Sequence, residues 1–429
     1  MGLRRGLLLA AVLSLLGLAS AEATTLQETA SQAIATRPDL KQRLAMEEAA
    51  KAAVEVALAP YRPTLDLSAF AGGRWEQDLR FQGEAALRGR QYIFDGFGIE
   101  AGVEAAEARL NQTTGEVAES TALIALEAVR AHLDVLRCQA LADIAADNLK
   151  VLRRLYGQVR ELGAGGRLTD ADVAQAKTRV ALAEADLADR LGTLAAAIAR
   201  YVAVVGVAPD NLTAPTLPVD LRPATEAEAV AAALESHPSL IAKDAAVAER
   251  QADIKKAESS FYPQVDALAE ATVDRNVRDL DNERAGVFLG GEVTWNLYSG
   301  GADTARVAGA EAEAKAAGFA LDEQRRIVSE EAMVAYRRLV AAEAQYAPLN
   351  DAEAAARKLY GAYAQQFEAG TRPLLDLLDA EGERTGAALR GADLRLRLAL
   401  AHYELLYATG RLPAALGLTT PGVTTPGPS

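Results

Sequence analysis

The sequence predicts a mainly α-helical chain with a small β part, built from two copies of one unit: helix, β-hairpin, long helix, return helix. Three observations carry this. Short motifs recur at a fixed spacing: Arg37-Pro38-Asp39-Leu40 returns as His237-Pro238-Ser239-Leu240, and Tyr61-Arg62-Pro63 as Phe261-Tyr262-Pro263, both 200 residues on. Beyond that point the spacing is 204, as in Phe94-Asp95-Gly96 against Tyr298-Ser299-Gly300 and Arg153-Arg154-Leu155-Tyr156-Gly157 against Arg357-Lys358-Leu359-Tyr360-Gly361. Matches at Gly, Pro and aromatic positions in one register mark a repeated structural unit rather than chance likeness between alanine-rich helices. The second observation is composition: half of the 429 residues are hydrophobic but only 5% are aromatic, and alanine supplies most of the surplus. That balance favours long helices in close contact over a bulky core. The third is a switch of hydrophobic period from helical to two, in one short region of each copy.

The elements follow in order. Arg4 and Arg5, the apolar run Leu7 to Leu18, and the sites Ala19-Ser20-Ala21 and Ala21-Glu22-Ala23 form the pattern of a secretory signal peptide over 1–23. The run is shorter than the ~20 residues of a membrane span. No cysteine follows it, so no lipoprotein anchor is expected. Cleavage after Ala23 removes Arg4, Arg5 and Glu22 and takes the net charge from −14 to −15. The first repeat is placed at 24–206, a proline-rich linker at 207–225 (Pro209, Pro215, Pro218, Pro223), the second repeat at 226–417 and a disordered tail at 418–429.

Each repeat opens with an alanine-rich helical stretch, about Thr24 to Pro60 and Thr225 to Ser260. Strands are expected at 64–75, 83–94, 264–274 and 286–298, with polar turns between the members of each pair. Leu65, Leu67, Ala69 and Ala71 alternate with Thr64, Asp66 and Ser68; Leu289, Gly291, Val293 and Trp295 alternate with Gly290, Glu292 and Thr294. An apolar face against a charged one over about ten residues is the signature of half-buried or barrel strands. Twelve of the chain's twenty-two aromatic residues fall in 61–97 and 261–298, including both tryptophans, Trp75 and Trp295. Interfacial aromatic girdles produce such a bias. Long helices are expected at 98–162 and 302–368, each about 100 Å at 1.5 Å per residue. Pro348 should kink or bend the second. Glycines (Gly163, Gly165, Gly166; Gly370) close the long helices, and return helices follow.

Several function classes are excluded. A net charge of −14 argues against nucleic-acid binding. The single cysteine, Cys138, permits no intrachain disulfide and no CxxC motif. His132, His237 and His402 lie far apart; His132 and His402 read as ordinary helix residues and His237 as part of a helix-break motif, and no catalytic triad, P-loop or dinucleotide fingerprint is present. Neither an enzyme nor a metal or cofactor site is expected.

Four strands cannot close a membrane barrel, for which eight is the smallest size. Two chains give eight strands, filled by side chains; three give twelve, wide enough for a channel. The long helices exceed a ~30 Å bilayer core and must project into water. At this point the residues resemble a known family. The duplicated plan, the Asp95-Gly96 and Ser299-Gly300 turns and, above all, Gly370-Thr371-Arg372-Pro373-Leu374-Leu375-Asp376-Leu377-Leu378-Asp379-Ala380 are similar to TolC-type outer membrane channel proteins. The resemblance spans roughly residues 24–417. It implies a homotrimer with a twelve-stranded transmembrane β-barrel in outer membrane lipid, continued by a periplasmic α-helical barrel. It also implies partners: a periplasmic membrane-fusion (adaptor) protein and an inner-membrane transporter of ABC or RND type, serving type I protein secretion or efflux of small molecules. Carried over by residue, Asp376 and Asp379 would form the selectivity ring of the periplasmic aperture. Arg372 would latch the closed gate, with Asp172 as its partner. Two positions depart from the family pattern: Phe367 stands where the family has a tyrosine, and Pro373 where it has a polar residue. The competing readings are a dedicated multidrug efflux channel working with a proton-driven pump and, from another class, a periplasmic coiled-coil scaffold without a pore.

Overall fold

The computed structural model describes residues 24–75, 79–275, 277 and 283–418. The leader at 1–23, the tail from 419 and parts of both strand-joining turns lie outside the described residues. Along the chain the elements are α1 (Leu26–Thr36), α2 (Pro38–Leu58), β1 (Thr64–Trp75), β2 (Leu79–Phe94), α3 (Gly98–Ala164) and α4 (Asp170–Val205). The second copy supplies α5 (Glu226–Ser236), α6 (Pro238–Glu258), β3 (Gln264–Arg275), β4 (Glu283–Thr294), α7 (Ala302–Glu368) and α8 (Leu374–Ala408), followed by the short α9 (Leu412–Ala415). The opening helical stretch of each copy is broken at Arg37 and His237, which are extended (ψ 121° and 125°). Each precedes a proline, whose ring disfavours the helical conformation of the residue before it. α7 continues through Pro348.

The chain forms two compact units that cut across the sequence repeats, because each draws on both copies. One unit contains Pro38–Ser120 and Ala232–Glu330. Its sheet is four-stranded and antiparallel in the order β1-β2-β3-β4. In register, Leu67 faces Leu87, Gly89 faces Ala269, and Ala269 faces Leu289. Strand alternation then sorts the side chains. One face carries Leu65, Leu67, Leu87, Val273, Val287, Leu289 and Val293, all exposed; Val287 is 86% and Leu289 83% accessible. The other carries Asp66, Arg88, Arg90, Asp266, Glu270 and Glu292.

Three strand boundaries differ from expectation by three residues or more; one is the start of β4, at Glu283 rather than 286. β2 starts at Leu79 rather than 83, because residues as far as Trp75 on β1 pair with it and shorten the turn. β4 ends at Thr294 rather than 298, because β3 starts after Pro263 and offers no partner beyond Gln264. The glycine after Asp95 is required where the hairpin hands over to α3. Gly96 has φ +70°, and a Cβ there would lie 2.6 Å from Tyr262 Cβ and 2.7 Å from the Ser259 carbonyl oxygen.

The other unit draws on the described residues up to Arg37, on Thr121–Ala231 and on the segment from Glu331. One of its cores joins Leu149, Leu152, Leu155 and Val159 of α3, Ala176 and Ala183 of α4, Phe367 of α7, and Leu374, Leu377 and Leu378 of α8. The linker is held within this unit. Thr24 N–H donates to Asn211 O (3.1 Å), Thr213 N–H donates to Thr24 O (3.1 Å), and His132 Nε2 meets Thr213 O at 2.9 Å. His132 is fully buried, so it does more than occupy a helix. Among the described residues no helix is long and apolar enough to cross a membrane.

Candidate functional site

The tips of the two helical hairpins, α3–α4 and α7–α8, bring the site residues together. Both end in the same turn. Arg167 N–H donates to Leu162 O and Thr371 N–H to Gln366 O, each 2.9 Å, around Gly166 (φ +72°) and Gly370 (φ +75°). This six-to-one bond, closed by a left-handed residue, satisfies carbonyls that a helix end otherwise leaves open.

The turns diverge two residues later. At the first tip Thr169 caps α4 in a reciprocal box. Asp172 Oδ2 accepts from Thr169 N–H (2.9 Å) and from its hydroxyl (2.7 Å), while Asp172 N–H donates to Thr169 Oγ1 (3.2 Å). The hydrogen bonds from Thr169, side chain first, hold the Asp172 carboxyl below its ordinary range. The equivalent positions in the second copy are Pro373 and Asp376, 204 residues on. Proline has no N–H and no side-chain cap bond, so Asp376 is released from capping. It accepts from Arg372 Nη1 at 3.0 Å instead. Arg372 is further held by Gln366 Oε1 (Nε, 3.0 Å) and lies over the Tyr363 ring, 4.0 Å from its centroid.

Arg372 therefore pairs with Asp376 within the chain and not with Asp172, whose carboxylate is engaged by Thr169. Asp379 accepts from Arg179 Nη2 of the first copy at 3.1 Å. Tyr363, Gln366 and Arg179 are the tip residues that sequence reasoning missed. Nothing in spacing marked them, since Arg179 and Asp379 are 200 residues apart and Tyr363 precedes Arg372 across a turn. Phe367, where a tyrosine was expected, is buried in the core just described.

A second ionic group sits farther along the same helices. Glu381, 1% exposed, takes both arms of Arg384 (Oε2 from Nε, 2.8 Å; Oε1 from Nη2, 2.7 Å). Arg384 Nη2 also reaches Asp147 at 3.3 Å. The Glu381 hydrogen bonds hold the Arg384 guanidinium protonated well above its ordinary value. A buried carboxylate of this kind needs its partner, because breaking such a pair costs about 3–5 kcal/mol.

On the sheet, the polar face is cross-linked by charge. Arg88 Nε lies 3.3 Å from Glu270 Oε2, Arg90 Nη2 3.5 Å from Glu292, and Gln264 Nε2 donates to Asp266 at 3.0 Å. A charge ladder backed by an apolar, solvent-exposed face suits a wall with lipid on one side and water on the other.

Comparison with known proteins identifies the family and the fold. The chain matches the outer membrane efflux protein family twice, over residues 29–207 and 229–411. It is similar to the outer membrane efflux protein BepC of Brucella suis biovar 1, 28% identical over 369 residues, covering 85% of this chain and 81% of that one. A membrane protein from Pseudomonas aeruginosa has the same fold, with a TM-score of 0.79 at 18% identity and 90% of each chain covered. So does the open state of the Neisseria gonorrhoeae MtrE outer membrane channel, with a TM-score of 0.77 at 17% identity, covering 90% of this chain and 89% of that one. The fold is that of channel proteins. The chain belongs to the outer membrane efflux protein family, and its place is the outer membrane.

Proposed function

We propose that three copies of the chain form one channel-tunnel, the outer membrane component of a tripartite export system. The observation that carries this reading is the sheet. It has an exposed apolar face, a charged face and two outer edges unpaired among the described residues. In water such a sheet leaves its apolar face and edge strands exposed and invites association. Closed threefold, it becomes a twelve-stranded barrel with lipid outside and water inside, and no edge remains. In that assembly a periplasmic adaptor and an inner-membrane transporter of ABC or RND type would dock at the helical tips. The export role covers type I protein secretion and efflux of small molecules; the name of the Brucella relative speaks for the second. A coiled-coil scaffold without a pore leaves the two-faced sheet unexplained. No nucleic-acid partner is proposed.

At the tips, Asp376 and Asp379 from three chains would ring the aperture with six carboxylates. Arg372 would serve as the gate latch. It holds Asp376 in its own turn, and a switch to Asp172 at the other tip would first have to break the Thr169 cap. Static light scattering of the protein in detergent tests the assembly: the expected protein mass is that of three chains. A stable folded monomer in a bilayer would overturn the reading.

A further inference from the structure

The two hairpins are equivalent residue by residue. Thr64 faces Arg90 in the first. Adding 200 to the first position and 204 to the second gives Gln264 facing Thr294, which is the pair observed. β1 therefore corresponds to β3, and β2 to β4. Within the chain β2 pairs with β3, while β4 and β1 are the outer strands. In a closed barrel the tilt and the stagger of strands are linked, so equivalent strands meeting at a chain boundary should repeat the β2–β3 stagger.

We infer that β4 joins β1 of the next copy in the register that this equivalence dictates, and that Phe288 and Phe70 clasp the seam on the lumen side. This rests on the trimeric-channel reading and adds its residue-level geometry. The observed pair Ala86–Thr272 becomes Gly290 opposite Gly72 of the partner subunit; Arg88–Glu270 becomes Glu292 opposite the partner's Phe70. On the apolar face, Gly89–Ala269 becomes Val293 opposite the partner's Ala69.

Three independent features agree with that register. The same cross-strand position is Phe70–Glu84 in the first hairpin and Glu270–Phe288 in the second. The aromatic thus stands on the edge strand both times and the acid on the inner strand, so the chain boundary is where the rings gather. Next, Phe288 folds over a neighbouring glycine: a Cβ on Gly290 would lie 2.6 Å from the Phe288 ring, whereas nothing lies within 4 Å of one on Gly72. With Gly72 of the partner subunit opposite Gly290, the ring covers both glycines, as an aromatic shields a glycine across paired strands. Last, residues 295–298 keep strand alternation but find no ladder in their own chain. The mapped register supplies one, setting Trp295 opposite the partner's Leu67.

Paired cysteines test this, since the native Cys138 is buried. Val293→Cys with Ala69→Cys, oxidised mildly in the assembled protein, should convert the monomer band of a heated, non-reducing gel into a covalent trimer. A disulfide requires Cα atoms about 4.4–6.8 Å apart, so Val293→Cys with Leu67→Cys or with Ala71→Cys, slipped two residues either way, should remain monomeric. Thr294→Cys with Ser68→Cys, mapped from the observed pair Arg90–Leu268, reads the same register on the opposite face if the first pair impairs assembly. A slipped pair linking in preference, or trimeric particles linking in none of these pairs, overturns the seam while leaving the channel standing. A monomeric mass for the unmodified protein overturns the channel reading itself.

Discussion

At the first helical tip the residue ahead of the return helix is Thr169, and it occupies Asp172 as its capping partner; at the second it is Pro373, which caps nothing. One difference in backbone chemistry therefore gives two aspartates at equivalent positions unlike duties. Asp376 faces Arg372, and Asp379 faces Arg179. If these carboxylates ring the aperture, low-dielectric walls should focus their field and lodge multivalent cations. Asp376→Asn with Asp379→Asn should abolish block of single channels by a trivalent cation added from the tip side, with trimer yield unchanged. Glu330→Gln with Glu331→Gln, remote on α7, should leave the block intact; equal block in both double variants would reduce the tip aspartates to a solvated helix face. The motif from Gly370 to Ala380 was legible in sequence. Its partners Tyr363, Gln366 and Arg179 were not, because only folding brings them near. His132 behaves similarly. Its Nε2 meets a carbonyl, which can only accept, so Nε2 carries the hydrogen and Nδ1 accepts from Thr29 Oγ1 at 2.9 Å. Burial pushes the imidazole pKa below its ordinary 6.5. The unfolded chain then binds the proton more readily, so stability present above about pH 6.5 is lost as pH falls, by at most about 1.4 kcal/mol per pH unit. Thermal melts between pH 7.5 and 5 should show Tm falling with pH, and His132→Gln should flatten the slope. A slope unchanged in the variant would place the effect at His237 and His402, whose pKa values burial also lowers.

At the scale of elements, the helix break at His237, the span of β1 and the two long helices follow from local chemistry and were readable for that reason, whereas the break at Arg37 was read through as one helical stretch. The start of β2 was not. Leu79, Arg80, Phe81 and Gln82 look like a charged turn, yet pairing with β1 extends the strand through them. The end of β4 erred the other way, because alternation persists where the chain offers no partner. Strand pairing is decided by the neighbour, which a single strand's sequence does not contain. The sheet faces yield a direct expectation. Leu289, 83% accessible on the apolar face, should contact lipid, and Leu289→Arg should cost roughly 2–4 kcal/mol at mid-bilayer. Ser68→Arg, exposed on the charged face, should be nearly neutral. Asp266 is an unsuitable control despite sharing that face, because it is 2% exposed and bonded to Gln264. Trimer yield in outer membrane fractions checks this; equal loss in both variants would remove the distinction between lipid and lumen faces.

At the scale of the whole molecule, duplication yields four strands, fewer than the eight of the smallest membrane barrel. Two hairpins make a four-stranded sheet whose two outer edges are unpaired among the described residues, and helices of 67 residues, about 100 Å at 1.5 Å per residue, are far longer than a bilayer is thick. If copies close into a barrel, the repeat that makes the hairpins equivalent in register would make the chain boundary resemble the junction inside the chain, and closure would need no new kind of contact. The duplicated helix, hairpin and long-helix plan was legible in the sequence through the repeat offsets. The Phe–Glu exchange between hairpins became visible only once strand register was known. The central claim is that copies of this chain enclose a water-filled path across the outer membrane. Single-channel recording of the purified protein in planar bilayers measures it directly. Discrete, cation-preferring current steps are the expected result; stable insertion without any conductance, in the wild type and in the Asp376→Asn, Asp379→Asn variant alike, would contradict it.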